Sequence, residues 1–147
     1  MQTDIFEFNR EGFTVSTDPA RLDLTVIHDF LANQSYWVPG ISLRSVKTSI
    51  EHSLNFGMYH ENKQIGFARL LTDYVRFAYL MDVFVLEEYR GTGLGKWLLE
   101  CVFNHPALQE VPRWMLATWD AHDLYARYGF APLARPDRFM EKVSPKK

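Results

Sequence analysis

The tightest constraint on this chain is Tyr89-Arg90-Gly91-Thr92-Gly93-Leu94-Gly95-Lys96. It lies between two segments of opposite periodicity. Ala78-Tyr79-Leu80-Met81-Asp82-Val83-Phe84-Val85 before it is rich in β-branched and aromatic residues and reads as a strand, while Trp97-Leu98-Leu99-Glu100-Cys101-Val102-Phe103 after it reads as a helix. Glycines at alternate positions permit positive φ and let a bulky ligand approach the backbone. The helix then starts with unshared N–H groups and its positive dipole end facing the turn, which is how a polypeptide holds phosphate. Arg90 and Lys96 add positive charge at the two edges.

The spacing excludes two common phosphate loops. A dinucleotide fingerprint requires glycine three residues after Gly93, where Lys96 stands. A P-loop requires four residues between its outer glycines, whereas Gly91 and Gly95 enclose three and Trp97 follows Lys96. Arg90, Gly93 and Gly95 instead meet the signature Q/R-x-x-G-x-G/A. The segment therefore resembles the pyrophosphate loop of the GNAT superfamily of N-acetyltransferases, which bind acetyl-coenzyme A. A second stretch, Ala121-His122-Asp123-Leu124-Tyr125-Ala126-Arg127-Tyr128-Gly129-Phe130, looks like the family's A-x-x-L-Y-x-x-x-G-F segment at the correct separation.

Around these motifs the expected elements run β-α-α-β-β-β-α-β-α-β. Gly12–Ser16 reads as the first strand and residues 19–31 as an amphipathic helix capped by Asp18. Ser42 caps a second helix. Asn55–Tyr59 and Gln64–Leu71 form a hairpin through Glu61-Asn62-Lys63. Arg113–Thr118 is a strand, Asp120 caps a short helix closed by Gly129, and Phe130–Leu133 and Arg138–Val143 are extended, with a tail at residues 144–147. The order resembles the GNAT fold over essentially the whole chain, 1–147, as one domain: an α/β (α+β) architecture with a mixed, mostly antiparallel central sheet, flanking helices and splayed central strands.

Composition bounds the partners. Sixteen basic and eighteen acidic residues give a net charge of −2, which offers no support for a nucleic-acid surface. No apolar run is long enough for a bilayer span, and Met1-Gln2-Thr3-Asp4-Ile5 lacks a signal peptide's basic start, so no membrane partner is expected. The single Cys101 excludes an internal disulfide and suits a reducing compartment, giving a cytoplasmic expectation. Homodimerisation is left open, and no metal is expected.

The resemblance then implies site residues. Coenzyme contacts would come from Val83, Phe84 and Val85, whose strand backbone pairs with the pantetheine arm, and from Arg90, Gly91, Thr92, Gly93, Leu94, Gly95 and Lys96. Many members carry Asn seven residues before the motif tyrosine; here Thr118 stands there, and its hydroxyl supplies part of the amide's bonding. Tyr125 is the implied proton donor to the departing thiolate, since a phenol titrating near ~10 stays protonated at neutral pH. Packing beneath the coenzyme arm is the structural alternative for Tyr125.

Asp82, interrupting an apolar strand, is the candidate base. Binding of a substrate ammonium or a bond to a neighbouring loop are its alternatives. His122 is the rival base, and a water chain without a dedicated base remains open. Tyr36, Trp37, Asp73 and His122 would face a small amine, with aromatic faces and a carboxylate attracting its ammonium. Cys101, on the helix face of Leu94 and Leu98, reads as core rather than as the nucleophile of an acetyl-enzyme. The enzyme's rival from another class is a coenzyme A-binding module without catalysis.

Overall fold

A computed structural model describes residues 4–145, in two compact units that divide between Leu116 and Ala117. Met1 to Thr3 of the N-terminal stretch, and Lys146 and Lys147 of the expected tail, lie outside the described residues.

The first unit holds a six-stranded mixed sheet in the sequential order β1(Glu7–Arg10), β2(Phe13–Ser16), β3(Leu54–His60), β4(Lys63–Thr72), β5(Ala78–Val85) and β6(Trp114–Met115). All neighbours are antiparallel except β5 and β6, which run parallel. The helices of this unit are α1(Leu24–Asn33), α2(Leu43–Glu51) and α3(Leu94–Phe103). None of the described helices is long and apolar enough to cross a membrane.

The two central hairpins follow directly from sequence. Glu61 and Asn62, both at positive φ, make the tight turn between β3 and β4. Every residue from Leu54 to Tyr59 and from Gln64 to Leu70 is buried, which is why these strands read as near-continuous apolar runs. Ile27, Phe30 and Leu31 of α1 and Val46 and Ile50 of α2 pack with Phe67 and Phe84 of the sheet into one core.

Five expectations are corrected. The sequence's first strand is the second: Glu7–Arg10 precedes it, joined through Glu11 and Gly12 at φ 49 and 87. Its polar Glu7, Asn9 and Arg10 suit an edge strand but hide the apolar alternation. The helix expected over 19–31 breaks. Asp18 caps only a 3-10 turn at Pro19–Arg21, and Asp23 caps α1 by accepting from the Thr25 and Val26 amides. The break is held from afar, because the Asp23 N–H donates to Gln64 Oε1 of β4 at 2.7 Å.

The strand expected over Arg113–Thr118 shrinks to Trp114–Met115, in register with Ala78 and Tyr79 alone. Beyond Tyr79, no strand pairs β5 on its β6 side among the described residues.

The second unit contains α4(His122–Ala126), with Ala121 rather than Asp120 at its N-cap. Gly129, at φ 95, closes the turn after α4. Residues 130–133 and 138–143 form no strand; Pro132 removes a ladder donor from the first, and a 3-10 turn at Pro136–Arg138 runs into the second.

Candidate functional site

The end of β5 presents backbone, not side chains. Leu86 N–H donates to Ile65 O at 2.8 Å, so by strand alternation the N–H and C=O of Val85, and of Val83 before it, face the edge that β6 leaves open. Phe84 is the exception among the three expected coenzyme residues. It pairs with Phe67 of β4, and its ring stacks on Phe30 at 4.0 Å, so both its backbone and side chain belong to the core.

From that edge the chain enters the glycine loop. Gly91 and Gly93 sit at φ 85 and 84, and Gly93 caps α3 with no side-chain cap bond. The first-turn amides of Leu94 and Gly95 therefore have no acceptor within the helix, whose ladder opens with Trp97 N–H to Gly93 O at 3.1 Å. A Cβ added at Gly91 or Gly93 would meet no atom within 4 Å, and one at Gly95 would meet only Val85 Cγ2 at 3.8 Å. The loop is thus open above its backbone, which fits a pyrophosphate. Arg90 braces the arrangement by donating from Nε to the Val85 carbonyl at 2.8 Å, and Thr92 donates to Tyr89 O at 3.3 Å.

Asp82 is bonded at both carboxylate oxygens. Oδ2 accepts from Arg69 Nε at 2.8 Å and Oδ1 accepts from the Trp37 indole N–H at 2.8 Å. Its side chain is only 7% exposed, and that of Arg69 10%. Both carboxylate oxygens are thus engaged, and the bond to Trp37 is the bond to a neighbouring loop named as an alternative to a base. Arg69 escaped the sequence reading. Its signal was present, since Arg69 and Asp82 each interrupt an apolar strand and the two strands are hairpin neighbours.

Asp82 also lies at a bulge. Arg69 faces Met81 and Phe67 faces Phe84, so Ala68 opposes both Asp82 and Val83, and Asp82 takes a φ of 54.

The loop between α1 and α2 carries Tyr36 and Trp37, 45% and 39% exposed, with rings edge to face at 5.0 Å. Trp37 leans on Phe30 at 6.1 Å. The loop is pinned from within by Gly40 N–H to Ala32 O, Val38 N–H to Ser35 Oγ, and the His28 ring against Ile41 O.

Asp73 lies in the turn between β4 and β5. Its Oδ1 accepts from the amides of Val75, Arg76 and Phe77, and these bonds, led by that to Arg76, hold its carboxyl below the usual carboxylate range. It shapes the β4–β5 turn. Cys101 is buried, and desolvation pushes its thiol up to about 12, which removes it as a nucleophile.

Within the second unit, Thr118 Oγ1 accepts from Ala121 N–H at 3.1 Å and so sets the entry to α4. His122 is exposed at the first position of that helix. Tyr125 is half-buried, with its ring edge to face with Phe130 at 5.8 Å.

Comparison with known proteins converges on one family. Residues 51–132 match the model described as an acetyltransferase (GNAT) domain. A Gibberella zeae protein, whose acetyltransferase name is itself inferred, is 31% identical over 142 residues, covering 82% of this chain and 79% of its own. A crystal structure of a GNAT-family protein from Xanthomonas campestris pv. campestris is 47% identical, with a TM-score of 0.89 over 93% of this chain and 96% of that one. A GNAT family acetyltransferase from Elizabethkingia anophelis with acetyl-CoA bound shares the fold at a TM-score of 0.63 and 16% identity, over 92% of this chain and 90% of that one.

Proposed function

This chain belongs to the GNAT acetyltransferase family, and we propose that it is an acetyl-CoA-dependent N-acetyltransferase acting on a small amine or an exposed amino group. The observation that carries the reading is the open edge at Val83 and Val85, followed by a glycine loop with open space at Gly91 and Gly93 and a start of α3 without a side-chain cap. When bound, acetyl-CoA supplies the acetyl group as an activated thioester.

The chain's own groups then divide the work. Gly91, Gly93 and the amides of Leu94 and Gly95, with the Arg90 and Lys96 charges, hold the pyrophosphate. The Val83 and Val85 backbones take the pantetheine arm as an added strand, and an N–H of that edge can stabilise charge growing on the thioester oxygen. Transfer is direct, in a ternary complex. The amine nitrogen bonds to the acetyl carbon, the carbon–sulfur bond breaks, and Tyr125 donates its phenolic proton to the sulfur. The amine attacks in its neutral form, the proton it then loses leaves to water, and water returns a proton to the Tyr125 phenolate. Tyr36 and Trp37 form the wall for the acceptor, and their ring faces suit a cation on an apolar body.

The test is acetyl transfer to pooled amines and peptides, read by mass spectrometry, together with Tyr125→Phe. That variant should lower kcat by roughly tenfold to a hundredfold and leave the KM for acetyl-CoA nearly unchanged, because a proton donor acts in the transition state. Wild-type turnover in Tyr125→Phe would make it a packing residue. Coenzyme A binding without acetylation of any amine would favour a silent binding module.

A further inference from the structure

The Trp37 indole reaches across 45 residues of sequence to bond Asp82, while Asp82's other oxygen is held by Arg69. Arg69 is tied in turn, donating from Nη1 to Ser53 Oγ at 3.0 Å and resting Nη2 on Met81 Sδ at 3.3 Å. A single bonded chain therefore runs from β4 through the β5 bulge to the loop between the first two helices.

The backbone at Asp82 makes this arrangement informative. A φ of 54 is one that glycine adopts without penalty, so the aspartate is kept at a conformational cost. Among side chains that tolerate this region, Asp is one whose short carboxylate can still bond a neighbour. The bulge aims that carboxylate between a buried guanidinium and a ring that is 39% exposed. The N–H edge of Trp37 is fixed, Phe30 backs it, and Tyr36 meets it edge on. A tryptophan in a loop gains a defined orientation this way, with ring surface left over for a ligand.

We infer that Asp82 is a positioning residue that sets the orientation of Trp37 as the acceptor wall, and that Arg69 holds Asp82 in place for that purpose. The inference rests on the acetyltransferase reading of the site. It links donor and acceptor sides, because Asp82 directly precedes Val83, the first residue of the edge assigned to the pantetheine arm.

Asp82→Asn keeps the shape and the tolerance of positive φ but removes the charge; Trp37→Phe keeps a ring but removes the N–H. The two variants and their double would be compared in a nitrogen-15 spectrum of the free protein and in kinetics. The acceptor in those kinetics is whichever of a panel of arylalkylamines, polyamines and free-amino-terminus peptides reacts fastest. Asp82→Asn should move the one indole signal that Trp37→Phe deletes. Each variant should raise the amine KM about tenfold, with kcat within threefold and the acetyl-CoA KM within twofold. The double should be no worse than the weaker single, because an amide at position 82 has one acceptor oxygen for two donors, so both variants disturb the same bond.

An unmoved indole signal, an unchanged amine KM, or additive effects in the double would overturn the inference. So would a hundredfold fall in kcat with loss of a limb of the pH profile, which would restore Asp82 as the base. If no panel amine is acetylated by a protein that still binds acetyl-CoA, the acetyltransferase reading fails and the acceptor role with it, even with the indole signal shifted as expected.

Discussion

The glycine loop and the Asp82 bulge both hold backbone in the left-handed region, and they do so by opposite means. At Gly91 and Gly93 the conformation is reached because no side chain opposes it, and the outcome is an exposed set of N–H groups. At Asp82 it is reached despite a side chain, which is then bonded on both oxygens. The first device is local, so its spacing can be read along the chain. The second depends on residues 13 and 45 positions away, so only a pairing of two strands, and not a run along one, signals it.

The sharpest way to break this contrast is to remove one partner at the bulge. Arg69→Met leaves the Asp82 carboxylate with the indole N–H but no countercharge, in a side chain 7% exposed. Stripping one member from a buried ion pair costs about 3 kcal/mol. Arg69→Met/Asp82→Asn should recover most of that loss, because no uncompensated charge remains. Urea denaturation of the wild type and the two variants measures both numbers. A single-variant cost under about 1 kcal/mol would mean that water already screens the pair and that the bulge is not held by it.

The glycine loop should respond in the reverse sense. Gly95 lies in the first turn of α3 with no close neighbour for a Cβ beyond Val85 Cγ2 at 3.8 Å. Gly95→Ala should therefore stabilise the free protein by roughly 0.5–1 kcal/mol through helix propensity. Alanine still meets the G/A position of the Q/R-x-x-G-x-G/A signature, so acetyl-CoA affinity should stay within about threefold, near 0.7 kcal/mol. Thermal melting and calorimetric titration check the two halves. A tenfold loss of affinity would show that the ligand lies so close to Gly95 that this position demands glycine, against the signature.

What could be read in the sequence follows the same division. The β3–β4 hairpin, β5, the glycine loop and α3 were legible because each is set by neighbours in the chain: alternation, a turn pair at positive φ, and a helix start. The start of α1 was misplaced because Gln64, on a distant strand, takes the Asp23 amide and breaks the helix there. The edge strand Glu7–Arg10 was hidden by the polar residues that protect an edge. Among candidate site residues, the loop from Arg90 to Lys96 was signalled by spacing. Arg69 was not, since nothing in β4 alone says that its charge has a partner.

Asp73 offers the smallest effect and an intermediate case, a side chain that sets a loop but through local bonds only. Its Oδ1 accepts three amides of the β4–β5 turn, which lowers its carboxyl below the usual range. The sign follows from which state binds protons more readily. An unfolded aspartate titrates near ~3.9, above the folded value, so over that interval the unfolded chain carries more protons and stability rises with pH. The contribution is complete above about pH 4 to 5 and is lost as pH falls through the folded value. Asp73→Ala should therefore be less stable than wild type at pH 6, and the gap between them should close toward pH 3. Taking the difference between the two proteins removes the carboxylates common to both. Because the group is exposed, the gap should be small and should not move the amine KM, unlike the change at Asp82. A gap that persists undiminished at pH 3 would mean that Asp73 supports its turn by shape rather than by charge, and the turn would then differ from both the bulge and the glycine loop.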